Sequence, residues 1–410
     1  MQKHIIIIGG GAAGFFMAVN LKRLSPDCRV TILEKGNKVL SKVRISGGGR
    51  CNVTHACPEE SLLVKNYPRG EKALRGAFSR FSVTDTITWF GERGVKLHTE
   101  ADGRMFPESN DSLTIVNCLL GEAKKYGVTV KLGTDVRKIR KDDGRFILEM
   151  GGGGTLEADG VVVAAGGNPQ STFYDWLRVL GHQVVEPVPS LFTFNIPVSP
   201  LTELMGVAVP DASVRITGLS LATSGPMLIT HWGLSGPAVL RFSAWAARDL
   251  WERKYDFTVL ISWIGAMKEE TVRLKFSEVR ARWNTRQIAV HPLFDLPRRL
   301  WEYLVKESGI APDMKWADLP KKNSNKLIEK LLNDSYAVKG KTTFKEEFVT
   351  AGGISLSEVD FRTMESRLVP GLYFTGEVLD IDGITGGFNF QAAWTTGWIA
   401  ANALAKDYPV

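Results

Sequence analysis

The sequence predicts an α/β protein with a Rossmann-like nucleotide fold, a β-rich middle and a helical insertion. Three observations carry this expectation. "HIIIIGGGAAGFFMAVNLKRL" (4–24) reads as a buried strand, a glycine turn and an amphipathic helix. From about Pro187 the pattern changes to short alternating segments broken by proline. The last stretch, from "VTAGGISL" (349–356) onward, returns to strand, glycine loop and helix, so the chain is expected to end inside the domain where it began.

Taken in order, the first strand spans residues 4 to 8 and its helix runs to about Leu24. "CRVTILEKG" (28–36) supplies a second strand ending in an acid, which completes a βαβ unit. Within it Gly9, Gly11 and Gly14 have the G-x-G-x-x-G spacing, and Glu34 lies twenty residues beyond Gly14, where the dinucleotide fingerprint places its ribose-binding acid. One glycine permits the tight turn, one lets a pyrophosphate approach the backbone, and one lets helix and strand pack closely, with the helix N-terminus facing the phosphates. A carboxylate at Glu34 accepts from ribose hydroxyls and repels a 2′-phosphate, which favours FAD or NAD(H) over NADPH as the bound nucleotide.

"KVRISGGGRCNVT" (42–54) follows, with three consecutive glycines between two arginines, more than a turn requires. Residues 71–126 read as mostly helical. "DVRKIRKDDGRFILEMGGGGTLEADGVVVAAGG" (135–167) reads as short strands, with Asp143-Gly144 and Gly151–Gly154 as hairpin turns. "ADGVVVAAGG" is a buried strand ending in small residues, suited to backbone that passes beside a ligand. "PVPSLFTFNIPVSPL" and "VAVPDASVRITGLSL" read as an antiparallel sheet or barrel. Residues 267–335 turn helical, with Trp283, Trp301 and Trp316 as core.

Composition sets bounds. At 410 residues more than one domain is expected, and 44% hydrophobic with 23% charged residues is the balance of a folded chain rather than a disordered one. The 51 Lys and Arg against 44 Asp and Glu give +7, which favours anionic partners such as phosphates, nucleotides or RNA. Four cysteines do not make a disulfide framework, so a reducing, cytoplasmic setting is expected. The uncharged run Ile5 to Leu21 follows Lys3 and His4 as a signal peptide's apolar region follows its basic start. Glycines at 9, 10, 11 and 14 interrupt it and it falls short of the ~20 residues of a membrane helix, so no membrane association is expected. No clustered His, Cys or carboxylate spacing points to a metal.

The motifs "IIIIGGGAAG", "KVRISGGGRCNVT", "VVVAAGG", "THWGLSGPAVLR" (230–241) and "TMESRLVPGLYFTGEVLDIDGITGGFNFQAAWTTG" (363–397) resemble those of the BaiN/YhiN-like flavoproteins, the aminoacetone-oxidase-type FAD-binding family. The resemblance is collinear over nearly the whole chain. It implies an FAD-binding Rossmann-like domain over 1–188 and 350–410, a β-barrel-like substrate domain over 189–266 and 336–349, and a helical domain over 267–335.

The same resemblance implies a cofactor-binding set. At the first turn it comprises Gly9, Gly11, Ala12, Ala13 and Gly14, with Glu34 and Lys35 after the second strand. Gly47, Gly48 and Gly49 would let the flavin lie against backbone, Arg50 and Asn52 would donate to ring or diphosphate, and Ser46 and Cys51 flank them. Lys42 and Arg44 serve phosphates or sit in solvent. Val136, Ala165, Gly166 and Gly167 complete the middle of the set. Near the end come Gly376 and Glu377, the competing acids Asp380 and Asp382, and Gly386, Gly387, Phe388, Asn389 and Gln391, where a helix N-terminus would stabilise charge on reduced flavin.

Five residues separate Cys51 from Cys57, rather than the two of a C-x-x-C, so a small buried residue and an incidental thiol are expected in place of a redox pair. His231 is the catalytic candidate, as a contact to substrate or flavin or as a structural histidine. No second G-x-G-x-x-G occurs in mid-chain, so NAD(P)H, if it is the donor, binds transiently. The expected function is hydride transfer between tightly bound FAD and a small-molecule substrate. The alternatives are a flavin-dependent enzyme reducing RNA uridines, for which Arg273, Lys275, Arg280, Arg282 and Arg286, then Arg298, Arg299, Lys321 and Lys322, offer a basic surface, and a non-catalytic flavin-binding protein. Substrate and oligomeric state are left open by the sequence.

Overall fold

The computed structural model describes residues 2–342 and 349–407. The part of the expected segment 336–349 that spans 343–348, and the expected domain ends at residues 1 and 410, lie outside the described residues. The chain forms two compact units, Met1–Ser190 with Phe344–Val410, and Leu191–Thr343.

The first unit is built on a parallel sheet. Strands β1 (His4–Ile8), β2 (Arg29–Leu33), β3 (Thr129–Lys131), β4 (Gly160–Val163) and β5 (Leu372–Phe374) lie in the order β5-β4-β1-β2-β3, every neighbouring pair parallel. β1 and β4 are near-continuous apolar runs because both faces of the sheet are covered. Beyond β5 the sheet continues through the antiparallel strands Glu365–Ser366 and Val359–Asp360. The strand nearest the chain's end thus pairs with β4, which itself pairs with β1.

Helix α1 (Ala12–Leu24) leaves β1 and packs on the final helix, Phe388–Asp407. Gly397 permits their contact, since a Cβ there would lie 3.0 Å from the Ala13 carbonyl oxygen. Phe16, Trp89, Phe90 and Trp394 fill the space around that seam, with Phe16 4.5 Å from Trp89 and 5.2 Å from Trp394 between ring centroids. Both indoles are satisfied: Trp89 donates to Asn20 Oδ1 (3.0 Å) and Trp394 to the Val53 carbonyl (2.9 Å).

The expected hairpins form as Val136–Asp142, Arg145–Met150 and Thr155–Ala158, turning at Asp143-Gly144 with both φ positive. Residues 71–126 are less uniformly helical than expected. Helices span Glu71–Phe78, Val83–Gly91 and Leu113–Lys125, but Leu97–Thr99 and Arg104–Pro107 pair as a hairpin against Thr54–His55. The signal was Asp102-Gly103, a turn dipeptide with Gly103 at φ +87°.

The second unit holds an antiparallel sheet in the order Asp334–Lys339, Asp256–Ser262, Ala208–Ile216, Ala222–Thr230, Gly233–Ser235, Thr193–Asn195, Lys341–Thr342. Its two outermost strands are separated in the chain by Gly340 alone. Gly340 donates to the Tyr255 carbonyl (2.8 Å) and accepts from Asn195 N (3.2 Å), so the sheet curls round until its edges meet. The helices Glu269–Arg282, Arg298–Glu307 and Lys321–Asn333 enter the chain between two strands that pair directly, 256–262 and 334–339. Trp301 and Trp316 are fully buried in a core continuous with the barrel strands, while Trp283 is only partly covered.

Candidate functional site

The first turn shows why each of its glycines is there. Gly9 has φ +112°, and a Cβ on it would lie 2.3 Å from the Ala164 carbonyl oxygen at the end of β4. A Cβ on Gly14 would lie 2.1 Å from the Gly9 carbonyl oxygen, so Gly14 lets α1 close on the strand. Gly11 differs from both. Its φ of −93° and ψ of −167° suit any residue, and no atom of the chain lies within 4 Å of its missing Cβ. Neither backbone strain nor packing asks for glycine at 11, and its open side leaves room for a ligand.

Glu34 is fixed across this turn, its carboxylate accepting from Gly10 N (2.9 Å) and Gly36 N (2.7 Å). Each carboxylate oxygen keeps capacity for a further donor. Lys35 lies 5.1 Å from the Phe173 ring centre, and Ala12 and Ala13 begin α1.

The glycine triplet is demanded by its backbone throughout, and only in part by packing. The chain is helical from Ser41, leaves the helix at Ser46 (ψ 148°), and turns through Gly47, Gly48 and Gly49 with φ of 59°, 69° and 85°. A Cβ on Gly47 would meet the Phe106 ring at 2.9 Å, but Gly48 and Gly49 have nothing within 4 Å. Cys51 follows, fully buried, its thiol pushed up to about 12 by desolvation. Asn52, also buried, accepts from Gly387 N (3.0 Å) and donates to the Thr54 carbonyl (2.9 Å), tying this loop to the glycines before the final helix.

Around the C-terminal motif, Gly376 (φ +72°) donates to Thr396 Oγ1 (3.0 Å) and comes so near α1 that a Cβ would lie 2.9 Å from that of Ala13. Glu377 accepts from Lys42 Nζ (2.7 Å) and reaches within 4.0 Å of the position of a Cβ on Gly166. Gly166 follows Ala165 at the end of β4, and Gly167 abuts Thr350. The buried hydroxyls of Thr350 and Thr375 have no hydrogen-bond partner among the described residues, so polar capacity remains on this side of the turn. Gly387 (φ +94°) could not carry a Cβ, which would lie 2.5 Å from the Thr54 carbonyl oxygen.

Three of the expected residues are engaged within the chain, and for Asp382 this corrects the expectation. Asp382 is a fully buried partner of Arg69, whose Nε and Nη2 donate to both its oxygens, and it accepts from Ser190 Oγ (2.8 Å). Burial raises its pKa, against the pull of Arg69. Gln391 is equally committed: Oε1 accepts from Thr54 (2.7 Å) and Thr86 (3.0 Å), and Nε2 donates to Ser82 O (3.2 Å) and Thr395 Oγ1 (3.1 Å). Both side chains are internal ties, which takes Asp382 out of the competition with Asp380 and leaves the expectation for the backbone N–H groups of 388–391 as it stood. The Arg50 guanidinium pairs with Glu100 through Nη1 (2.6 Å) over the Phe106 ring, 4.0 Å from its centre, a contact that orients it and leaves further N–H donors.

Other residues take more neutral positions. Val136 is buried at the start of the hairpin strand, Asp380 N bonds to the Ile354 carbonyl (3.0 Å), and Asn389 exchanges two hydrogen bonds with Gly383 (2.8 and 3.0 Å). His231 is exposed at the turn after Ala222–Thr230 in the second unit, its ring edge-on to Trp232 at 4.2 Å. Sequence reasoning missed His55. Its ring stacks on Phe388 at 4.6 Å and its Nδ1 lies 2.9 Å from the Gly386 carbonyl, although it directly follows the quoted glycine motif. Cys57 bonds only weakly to the Glu59 carbonyl, and burial and Glu59 raise its pKa, so neither Cys51 nor Cys57 is an activated thiol. Among the described residues no metal-binding group of His, Cys, Asp or Glu occurs, and no helix is long and apolar enough to cross a membrane.

A family model described as HI0933-like protein Rossmann domain matches residues 3–403. The chain belongs to this family. Its relatives include the Ribosomal RNA dihydrouridine synthase of Escherichia coli K12, 33% identical over 97% of each chain, and the 3-dehydro-bile acid delta(4,6)-reductase of Clostridium scindens, 28% identical over 99% of this chain and 100% of the other. Among solved structures, a 3-ketosteroid delta1-dehydrogenase from Sterolibacterium denitrificans shares the fold at TM-score 0.52, with 12% identity over 99% of this chain and 100% of that one. The protein is an FAD-dependent oxidoreductase. The open backbone at Gly11, Gly48 and Gly49 and the unpartnered hydroxyls of Thr350 and Thr375 fit such a cofactor.

Proposed function

We propose that the protein is an NAD(P)H-fed reductase that saturates a carbon–carbon double bond conjugated to a carbonyl. The single observation that carries this is the agreement of two full-length relatives, one named for making dihydrouridine and the other for reducing a dienone steroid acid. The Gly151–Gly154 run is a hairpin turn rather than a second phosphate loop, so in this reading the nicotinamide donor binds transiently.

In this reading Gly11 and the N-terminus of α1 take the diphosphate, Glu34 the ribose, and Gly48 and Gly49 the face of the ring system. Glu377, held by Lys42, and the hydroxyls of Thr350 and Thr375 meet the polar linker. Bound FAD supplies the hydride chemistry. The first-turn N–H groups of the Phe388–Asp407 helix would hold negative charge on the cofactor's pyrimidine edge, and Asn52 keeps Gly387 in place for that purpose. His231 is proposed as a substrate contact. The four free cysteines suit a reducing compartment such as the cytoplasm.

Anaerobic mixing with NADH or NADPH, followed at the visible flavin band, tests the donor: rapid bleaching is expected, and a persistent band would overturn it. A second reading takes the acceptor to be a uridine in RNA, favoured by the relative at 33% identity. Reoxidation of the reduced protein by a ribosomal RNA fragment, with dihydrouridine formed, is its test.

A further inference from the structure

The helical part of the second unit holds a cavity of about 260 Å³ that the oxidoreductase reading does not use. Its polar lining consists of donors: Arg273, Ser277 and Arg280 from the Glu269–Arg282 helix, Ser324 from the Lys321–Asn333 helix, and the indole of Trp316. Its floor is Phe276, Trp316, Leu319 and Ile328. No carboxylate lines it.

The spacing explains the convergence. Arg273, Phe276, Ser277 and Arg280 recur at the third, fourth and seventh positions and so share one helix face, and Ser324 and Ile328 do the same opposite them, with Lys321 one turn earlier. Arg273 bridges the two helices through Asn325 Oδ1 (2.9 Å) and also pairs with Glu269 (2.6 Å), while Arg280 donates to the Ala317 carbonyl (2.7 Å). Each guanidinium carries five donors, so these contacts orient both without exhausting them. Trp316 is fully buried and its indole N–H has no hydrogen-bond partner among the described residues, a deficit that native proteins seldom leave.

The surroundings are basic as well. Residues 267–335 carry fourteen Lys and Arg against ten Asp and Glu, so this stretch supplies +4 of the chain's +7. Arg286 lies over the partly exposed Trp283 ring, 5.1 Å from its centre, beside this region in sequence. Guanidinium groups above an apolar, aromatic floor are the combination that holds single-stranded nucleic acid, phosphate to cation and base to ring.

We infer that this cavity is a docking pocket for one nucleotide of a single-stranded RNA segment, with its phosphate on Arg273 and Arg280 and a base acceptor on the Trp316 N–H. The inference rests on the RNA reading of the acceptor, and adds to it a binding site remote in sequence from the flavin motifs.

Fluorescence anisotropy of a labelled single-stranded oligouridylate with the full-length holoprotein tests it, at several salt concentrations. Arg273→Gln/Arg280→Gln is expected to weaken binding at least tenfold and to lower the salt slope by about 0.7, the contribution of one phosphate contact. Trp316→Phe, which keeps the ring, is expected to weaken it roughly three- to tenfold through the lost hydrogen bond. Flavin content is measured on every variant to confirm folding. Unchanged affinity in the double variant, an equal loss in an Arg298→Gln/Arg299→Gln control, or a wild-type protein that does not bind would each overturn the pocket. Binding of free uridine monophosphate as tight as that of the oligonucleotide would overturn RNA as its occupant. Because the assay reads docking alone, RNA that binds through the pocket yet never reoxidises the flavin would sink the RNA-reductase reading and leave the pocket standing.

Discussion

Replacing Gly11 by alanine separates the demands of the fold from those of the cofactor. The new Cβ enters a backbone of φ −93° and ψ −167° with no neighbour within 4 Å, so it creates neither strain nor clash. Two small effects oppose each other in the flavin-free protein. Losing a glycine from the unfolded chain stabilises by about 0.4–1 kcal/mol, and alanine is a poorer N-cap than glycine by up to about 1 kcal/mol. The apo-protein is therefore expected to keep its stability within ~1 kcal/mol. The cofactor loses more: a methyl group standing where the diphosphate must approach removes at least one charge-assisted hydrogen bond, worth about 1.5–3 kcal/mol. At 1.4 kcal/mol per decade, FAD affinity falls roughly 10- to 150-fold. The assay pairs flavin titration with denaturant unfolding of flavin-free protein, because bound flavin would itself raise the apparent stability. Wild-type flavin affinity in Gly11→Ala would refute the argument that a ligand accounts for this glycine, and an unfolded apo-protein would show that the fold requires it.

Gly14→Ala should behave oppositely, losing about 1–3 kcal/mol or more of apo-protein stability, since its Cβ would lie 2.1 Å from the Gly9 carbonyl oxygen; an unchanged unfolding midpoint would contradict the packing role. Arg69→Met should cost about 3–5 kcal/mol by stranding buried Asp382, and adding Asp382→Leu should restore much of it, as read from denaturant curves. Cys51, at about 12 against an ordinary 9, stays protonated in the folded chain while the unfolded thiol ionises, so its contribution is intact below pH 9 and is lost as pH rises toward 12. Wild type should thus lose stability more steeply than Cys51→Ala across that window, and native Cys51 should resist thiol reagents at pH 8, while Cys57→Ser leaves turnover intact. His231→Gln should raise KM for the acceptor without altering flavin content or the rate of flavin reduction by NAD(P)H; unchanged steady-state kinetics would remove His231 from the substrate site.

What could be read from the sequence was what short-range spacing encodes. The β1–α1 unit and the Asp143-Gly144 hairpin each depend on residues within a few tens of positions and formed as read, and Glu34 lies across the first turn from Gly10. The polar residues of the C-terminal motif could not be sorted in this way. Gln391 looks like a ligand in sequence and is a strut in space because Thr54 and Thr86 reach it from more than 300 positions away, and Asp382 is neutralised by Arg69 from a similar separation. Spacing also could not say which glycines answer to the fold and which to a ligand. Gly9, Gly14, Gly47 and Gly387 face protein atoms, Gly48 and Gly49 are required by their positive φ, and Gly11 alone has neither demand on it.

The helical stretch of the second unit leaves and re-enters the barrel on adjacent strands, where Ile261 pairs with Asp334. Its two ends are therefore held about 5 Å apart, the spacing of neighbouring strands. A segment so attached can be lengthened, shortened or exchanged during evolution without moving any barrel strand, provided the seam is kept at Trp263, which bonds to the Leu331 carbonyl (2.9 Å) and to Asp334 (3.0 Å).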